Sequence, residues 1–548
     1  MNAKQLRQLA ETIFGKKGTL NSLHQEIAEH FYPERADFTL RRQIGDEFAD
    51  HLMTSYPVLV RRELAEQIGT MLRPRQTPWF RMVPTDQERE DNEAKRWLEW
   101  ATGLMRRAMY DPVTSFARAM KEGDNDFATF GQPAISIEMC WDSNEGPHLL
   151  YRCWHLRDMA WQEDRYGKIG NRYRRWKPTI YDLNALFPGK VHDNIARRVA
   201  TQPLEEAEVL HMVVERDYYD KKAPSRGQPW WSIYYDCKNE VVIEEQPVWC
   251  PIYAIPRWQT GGGSQYAYSP ATIVALPDAR LLQAMTLTLL EAGEKITNPP
   301  LVAVDEVVRG DIAVYAGGIT IVDRDYDERL GEALRPISQD AKGMPIGIEM
   351  QQDSRRILAE VFYLNKLKLP QRTSAMTAYE VSQLVQQYIR DALPLFEPME
   401  ENYNGDVCNF TFDVLHHSMA FGSPYMMPRS LQGQAVTFRF QSPLHEEIDA
   451  VRGQKFLEMK SLVIEAATLD KSVLAIPDAK KALRDALTGI GIPATWQRSE
   501  TTVRDMELAQ QSIDEAQQAL AALGPASEAA ANMAGAAKDS AQAQTLAR

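Results

Sequence analysis

Cysteine is scarce in this chain, and no two cysteines lie close together. The five, Cys140, Cys153, Cys237, Cys250 and Cys408, are scattered and form no CxxC pair. An odd number in a 548-residue chain argues against a disulfide framework and fits a reducing compartment. Basic charge is also in deficit. Lys and Arg total 62 against 75 Asp and Glu, giving a net charge of −13 and a pI of about 5.4. That argues against a nucleic-acid coat or a basic-groove protein. It leaves DNA contact to local basic patches, or to passage without adhesion. No run approaches 18 apolar residues, so no membrane span is expected, and Met1-Asn-Ala-Lys-Gln-Leu-Arg7 lacks the apolar stretch of a signal peptide.

Catalytic signatures are missing as well. Gly15-Lys-Lys-Gly18 and the glycine triplet 261–263 lack phosphate-loop spacing, and no GxSxG is present. His445-Glu-Glu447 has no second histidine to complete a zinc helix, and adjacent His416 and His417 point to different faces of a helix. Asp323, Asp325 and Asp327 alternate as in a calcium loop. However, the sixth position is Glu328 instead of Gly and the twelfth is Leu334 instead of Glu, so a solvated acidic loop is expected. No catalytic residue, metal or cofactor is therefore assigned. The run Asn171-Arg-Tyr-Arg-Arg-Trp-Lys177 mixes bases with aromatic rings. Such a run can grip phosphates and stack on bases, but in an acidic protein it reads first as a sheet edge or a subunit contact.

What the chain does have is bulk and helical periodicity. Its composition is 44% hydrophobic and 25% charged, enough for several domains and a large core. Helical spacing predicts helices over 4–31, split near Gly15 and Gly18, over 46–72 with a kink at Pro57, and over 88–109. The period then drops to two. Strands are predicted at 134–139, 149–154, 209–214, 231–235 and 241–243, continuing near 249–253, with turns at 142–146 and 164–167. Thr260-Gly-Gly-Gly-Ser-Gln265 reads as a flexible hinge. Helix 271–296 follows, then a small β module with a Gly317-Gly318 turn, then helix 347–369. A long helix over 378–420 carries Pro394 inside its pattern, where a kink is expected. A strand at 436–440 and helices near 446–466 and 477–488 come next. The tail from 505 is rich in Ala, Gln, Ser and Glu; 505–523 reads as helix, and 529–548 has too few large apolar groups to order itself alone.

The most informative stretch is Leu369-Pro-Gln-Arg-Thr-Ser-Ala-Met-Thr-Ala-Tyr-Glu-Val381. Pro370 stops one helix. Thr377 and Glu380 form a capping box that starts the next. Between them lies a short polar loop, far in sequence from any catalytic signature.

The order of these parts, with several local segments, resembles the portal (head-to-tail connector) proteins of short-tailed bacteriophages. The segments are Glu26-Ile-Ala-Glu-His-Phe-Tyr-Pro33, Leu72-Arg-Pro-Arg-Gln-Thr-Pro-Trp-Phe80, Tyr266-Ala-Tyr-Ser-Pro270 leading to Leu276-Pro-Asp278, Asn298-Pro-Pro300, and Arg372 to Val381. The resemblance covers roughly residues 20–460 and implies an α+β, mainly helical, portal-type fold. By analogy, 1–270 is a wing, 271–297 a first stem helix, 298–345 a clip, 346–369 a second stem helix and 370–376 a tunnel loop. Residues 377–435 are a long kinked wing helix, 436–500 a crown, and 501–548 a tail able to form a helical barrel.

The resemblance further implies a homo-oligomeric ring, a dodecamer by family habit, at one capsid vertex of the virion, assembled in the host cytoplasm. Double-stranded viral DNA would pass its channel in packaging and ejection. The clip, with Asp305, Glu306, Arg309, Asp323, Arg324 and Asp325, would meet the terminase large subunit and later a tail adaptor, and capsid or scaffold proteins would surround the ring. Gln371, Arg372, Thr373 and Ser374 would face the DNA. An acidic channel with isolated bases suits a sliding polyanion, since extensive phosphate neutralisation would capture it. The competing readings are a metal-dependent phage nuclease, which needs acids converging in one pocket, and another ring-forming head-tail adaptor. The expected protein is not an enzyme.

Overall fold

The computed structural model describes residues 1–43, 45–85, 92–142, 146–219, 227–303, 329, 334–336, 343–367, 399–422, 427–440, 456–466, 478–489, 492, 496 and 502–515. These divide between two compact units. The larger holds Met1–Phe80, Leu104–Phe421 and Phe440–Leu444.

Two helices open the larger unit, α1 (Ala3–Lys16) and α2 (Gly18–Phe31). Asn2 caps α1 in a reciprocal box. Its side chain accepts from the Gln5 amide at 2.9 Å, and Gln5 accepts from the Asn2 amide at 3.0 Å. Helix α3 (Tyr56–Leu72) starts later than the periodicity suggests. Pro57 sits in its first turn, where a missing N–H costs nothing, so it begins the helix rather than bending it. The preceding residues are held as a strap: the Met53 and Thr54 amides both donate to Gln283 Oε1, at 2.7 and 2.9 Å. β1 (Phe80–Pro84) leads to α4 (Asn92–Met109), which is followed by α5 (Phe116–Phe130).

The sheet region is larger than the sequence pattern suggested. A hairpin of β2 (Ala134–Asp142) and β3 (Gly146–Trp154) is followed by β4 (Met159–Glu163) and β5 (Ile169–Trp176). Short helices α6 (Ile180–Leu186) and α7 (Asp193–Arg198) intervene before β6 (Val209–Glu215), β7 (Trp230–Asp236) and β8 (Val241–Val248). Strands β4 to β8 form one five-stranded antiparallel meander in sequence order. Between Trp249 and Tyr253 only β9 (Tyr253–Ala254) pairs; it joins β2 and β3 in a second sheet ordered β3-β2-β9.

One face of the meander, with Tyr173, Met212, Trp231 and Ile233, is covered by Leu6, Ala10 and Ile13 of α1. The opposite face meets the second sheet: His211 bonds the Tyr253 hydroxyl at 2.5 Å and the Ser232 hydroxyl at 2.8 Å. Burial on both faces explains why Val209-Leu-His-Met-Val-Val214 reads as a continuous apolar run.

The glycine triplet is not an open hinge. β10 (Gln259–Thr260) pairs β11 (Ala267–Tyr268), so 261–266 close a hairpin, with Gly263 at φ +82°. Helix α8 (Pro270–Thr297) follows, then β12 (Leu301–Ala303), β13 (Leu334–Pro336), α9 (Gly343–Val361) and one turn, α10 (Leu364–Leu367). The second of the predicted stem helices therefore breaks before Pro370, at Tyr363, which adopts φ +58°. By length and composition α8 is apolar enough to cross a membrane. Its first half lies in the core of the larger unit, with Ala271, Ala275, Ala279 and Leu282 fully buried, and Glu291, Glu294 and Lys295 charge its end.

In the larger unit the described residues resume at Met399. A π-helical turn, Glu400–Asn404, runs into α11 (Gly405–His417). Such turns insert a residue and re-aim side chains, so the described end of the predicted long helix is not a regular α-helix. It is tied back hard. Asn404 Nδ2 donates to the Leu72 carbonyl at 3.1 Å, Arg73 donates to Asn404 Oδ1 at 2.7 Å, and the Tyr151 and Thr411 hydroxyls pair at 2.7 Å.

The described parts of the smaller unit are β1 from Arg81, the first turns of α4, β14 (Val436–Phe440) up to Arg439, and helices α12 (456–466), α13 (Ala479–Gly489) and α14 (502–515). β1 pairs β14, extended by the Thr85 amide donating to the Ala435 carbonyl at 3.1 Å. Of the predicted 446–466 helix, the described portion starts at 456; helix 477–488 and the start of the tail helix lie where expected.

Candidate assembly site: the α8–α9 hairpin

Helices α8 and α9 pack side by side as a hairpin whose tips are joined by β12 and β13, with Leu301 opposite Pro336 and Ala303 opposite Leu334. Their register follows from two contacts. Gln351 Nε2 donates to Thr286 Oγ1 at 2.8 Å, and a Cβ at Gly347 would strike Leu289 Cδ2 at 2.7 Å. Paired numbers rise on one helix as they fall on the other, so the helices are antiparallel. Gly347 is what lets the backbones approach there.

The start of α8 is built into the end of α5. Ser269 caps α8 by accepting from the Thr272 amide and donates to the Ala128 carbonyl at 2.7 Å. Thr272 Oγ1 donates to the Thr129 carbonyl at 2.7 Å. Two carbonyls left over at the end of one helix are thus satisfied by the hydroxyls that begin the next. Gly131 ends α5 at φ +76°, and a Cβ there would land on the Tyr268 carbonyl and the Ser269 nitrogen. Further along, Gln283 holds the 53–54 strap, Tyr56 donates its hydroxyl to the Arg355 carbonyl at 3.0 Å, and Arg280 pairs with Glu26. Leu358 and Phe362 are fully buried, and Phe362 packs on Phe31 with ring centres 5.4 Å apart.

Beyond Gln283 the character changes, and no residue of α8 from Ala284 on is buried. Leu287 (41% exposed), Leu290 (54%) and Ile296 on α8, and Ile346 (62%), Ile348 and Met350 on α9, face solvent in the single chain. Charged groups are interspersed, including Glu291, Glu294 and Lys295 on α8 and Glu349 and Asp353 on α9. Exposed apolar side chains of this number on a two-helix projection mark a candidate surface for association.

The residues expected from the sequence to act lie elsewhere in the chain. Gln371, Arg372, Thr373 and Ser374, the cap residues Thr377 and Glu380, and Pro394 fall outside the described residues. So do Asp305, Glu306, Arg309, Asp323, Arg324 and Asp325, the Gly317-Gly318 turn and the tail beyond 515. The basic run 171–177 is corrected: all of it but Lys177 lies in β5, an inner strand of the meander and not an edge. Arg172 and Arg174 are buried at 5% and 3% exposure. Arg174 lies over the Trp154 ring at 3.7 Å, and Arg172 over Trp230 at 5.3 Å. These cations hold sheets together and have no face to offer nucleic acid. His417 stacks on Trp249 at 3.8 Å and His416 on Phe412 at 5.6 Å. Among the described residues no group of His, Cys, Asp and Glu is placed to hold a metal ion.

Buried charge instead serves the frame. Arg73 binds Asp124 in the core, where the Asp124 carboxylate keeps the guanidinium protonated against the cost of burial. Arg35 takes Asp126 at 3.0 Å. Lys17 is fully enclosed, donating to the Leu156 and Met159 carbonyls at 2.5 and 2.8 Å, and desolvation pushes its amine down to about 7. Asp406 is pushed up to about 6 by burial, with Arg172 opposing the rise.

Comparison with known proteins decides the family. The family model described as bacteriophage head to tail connecting protein matches residues 3–496. This chain belongs to that family. The family is a structural one by its description, a component of phage head–tail assembly. A curated relative, the portal protein of Salmonella phage epsilon15, is 22% identical over 399 residues, spanning 70% of this chain and 67% of that one. A chain from the virion of a native gene transfer agent particle aligns over 80% of this connector and 95% of its own length, with 9% identity and a TM-score of 0.36. The hairpin described above lies inside the matched span.

Proposed function

We propose that this connector acts as a portal: a ring of identical subunits, twelve by family habit, at one capsid vertex, through whose axial channel double-stranded DNA is packaged and ejected. In this reading α8 and α9 are the stem and neighbouring copies cover their apolar distal halves. Residues 298–345 form a clip that docks the terminase large subunit and then a tail adaptor, using Asp305, Glu306, Arg309, Asp323, Arg324 and Asp325. Residues 1–270 and 377–435 form the wing, with Thr377 and Glu380 starting its long helix and Pro394 bending it. Residues 436–500 form the crown, and 501–548 a tail barrel. The loop 370–376 points Gln371, Arg372, Thr373 and Ser374 at the DNA. Capsid or scaffold proteins surround the ring, and the chain performs no catalysis.

The observation that supports the ring is the apolar hairpin, whose side chains the chain itself leaves in water. Half-exposed leucines gain roughly 1 kcal/mol each on burial between copies. The test is electron microscopy of the purified chain beside its Leu287→Asp/Leu290→Asp variant. Rings with a central hole are expected from the parent. Dispersed monomers of unchanged helicity are expected from the variant. A parent that stays monomeric at micromolar concentration in all salts, or a variant that still forms rings, would refute the reading. Arg372→Ala with Thr373→Ala should leave rings intact and impair packaging or retention of DNA. Lost assembly with normal DNA handling in residual particles would refute that role for the loop.

A further inference from the structure

A cleft of about 630 Å³ opens between α3 and α5, away from the hairpin's distal apolar half. Its volume suits a small ligand. Its walls carry five cations, Arg61, Arg62, Arg73, Arg75 and Lys121, against three carboxylates, Glu34, Glu66 and Asp124. Two of those carboxylates are already committed, Asp124 to Arg73 and Glu66 to Arg62. Among the described residues Arg61, Arg75 and Lys121 have no carboxylate within ion-pair distance; of the lining carboxylates Glu34 remains uncommitted, and Asp126 outside the lining adds its field at Arg61.

Arg61 is the telling group. It is buried at 2% exposure, yet its guanidinium meets only neutral partners. It donates to the Phe31 carbonyl at 3.0 Å and to the Asn125 side-chain oxygen, and lies over the Tyr32 ring at 4.1 Å. Burial pulls its pKa below the usual arginine value, although Tyr32, Glu34 and Asp126 act in the opposite direction. A buried cation is costly unless an anion compensates it. Here the compensating space is the cleft, with Arg75 and Lys121 exposed at its rim. Guanidinium groups with a lysine form the donor set that suits phosphate oxygens, the arginines bonding through a planar fork. Tyr32, Tyr110 and Phe116 add aromatic surface beside them.

We propose that this cleft binds a phosphate-bearing small anion, inorganic pyrophosphate or the polyphosphate of a nucleotide, with Arg61 at its base and Arg75 and Lys121 closing over it. The test is isothermal titration of the full chain with pyrophosphate and with ATP at low ionic strength. One site per chain is expected. The Arg75→Glu/Lys121→Glu variant changes only exposed side chains, so it keeps the fold, checked by circular dichroism. It should bind about tenfold more weakly or worse, because charge-assisted hydrogen bonds are lost and repulsion replaces them. Arg61→Lys keeps the charge but loses the fork, and should also weaken binding. Arg118→Glu, on α5 with Lys121 but not lining the cleft, should bind as the parent does. No binding at millimolar ligand, or parental affinity in the Arg75/Lys121 variant, would overturn the proposal. So would binding of a single-stranded oligonucleotide with none of pyrophosphate or ATP, which would assign the cleft to a polynucleotide backbone instead.

Discussion

Replacing Gly131 by alanine should damage this protein far more than the same change at another left-handed glycine. Gly131 and Gly167 have nearly equal backbone angles, φ +76° and +74°. For either, forcing an L-residue into that region costs about 1–2 kcal/mol. Their surroundings differ. A Cβ at Gly167 meets nothing within 4 Å, whereas at Gly131 it collides with the backbone of Tyr268 and Ser269. Relief requires moving the first turn of α8 away from α5. That movement strains the Ser269–Ala128 and Thr272–Thr129 hydrogen bonds, each worth about 1 kcal/mol. Gly131→Ala should therefore cost about 3–4 kcal/mol and Gly167→Ala only about 1–2 kcal/mol. Urea unfolding followed by tryptophan fluorescence compares the two against the parent through midpoint shifts. Equal shifts for the two variants would refute the junction argument, because the left-handed cost alone would then explain both.

The Asp406 carboxyl, raised to about 6 against 3.8 when unfolded, binds more protons in the folded state between those values, so its contribution favours folding as pH falls through 6. Asp406→Asn should stabilise the chain at pH 8 and remove that pH dependence, as read from denaturant midpoints at pH 5 and 8; an unchanged difference between the two pH values would contradict this. Truncating Arg73 to alanine strands Asp124 in the core and should cost about 3–5 kcal/mol, while Arg73→Met with Asp124→Leu should recover most of the loss in the same assay. Failure of the double variant to recover would show that Asn404, rather than the ion pair, dominates there.

Helix positions were readable where apolar spacing is regular, as in α1, α8 and α9, because a single buried stripe writes the 3.6 period directly. Strands β2, β6 and β7 were readable for their dense branched and aromatic runs. β5 was not, since three of its buried positions are Asn171, Arg172 and Arg174, which sequence patterns assign to solvent; packing of guanidinium on Trp154 and Trp230 reverses that assignment. The strap before α3 was read as helix because its apolar spacing is right, and only Gln283, 229 residues from Thr54, shows why its amides point elsewhere. Helix α5 escaped notice although Gly131 marks its end and Phe116, Met120, Phe127 and Phe130 mark its buried side. The exposed apolar half of the hairpin was in plain view as sequence, but a stripe reads the same whether its own chain or another covers it. The cleft was beyond reach, since it joins Tyr32 to residues on two helices 30 to 90 positions later.

The ties from Asn404 to Leu72 and Arg73, and from Thr411 to Tyr151, set an order of events during synthesis. The carbonyl, guanidinium and hydroxyl that await α11 leave the ribosome hundreds of residues before their partners do. The hairpin is translated in between. The segment that makes the hairpin is therefore synthesised while the frame is still open, and the last seam can close only afterwards.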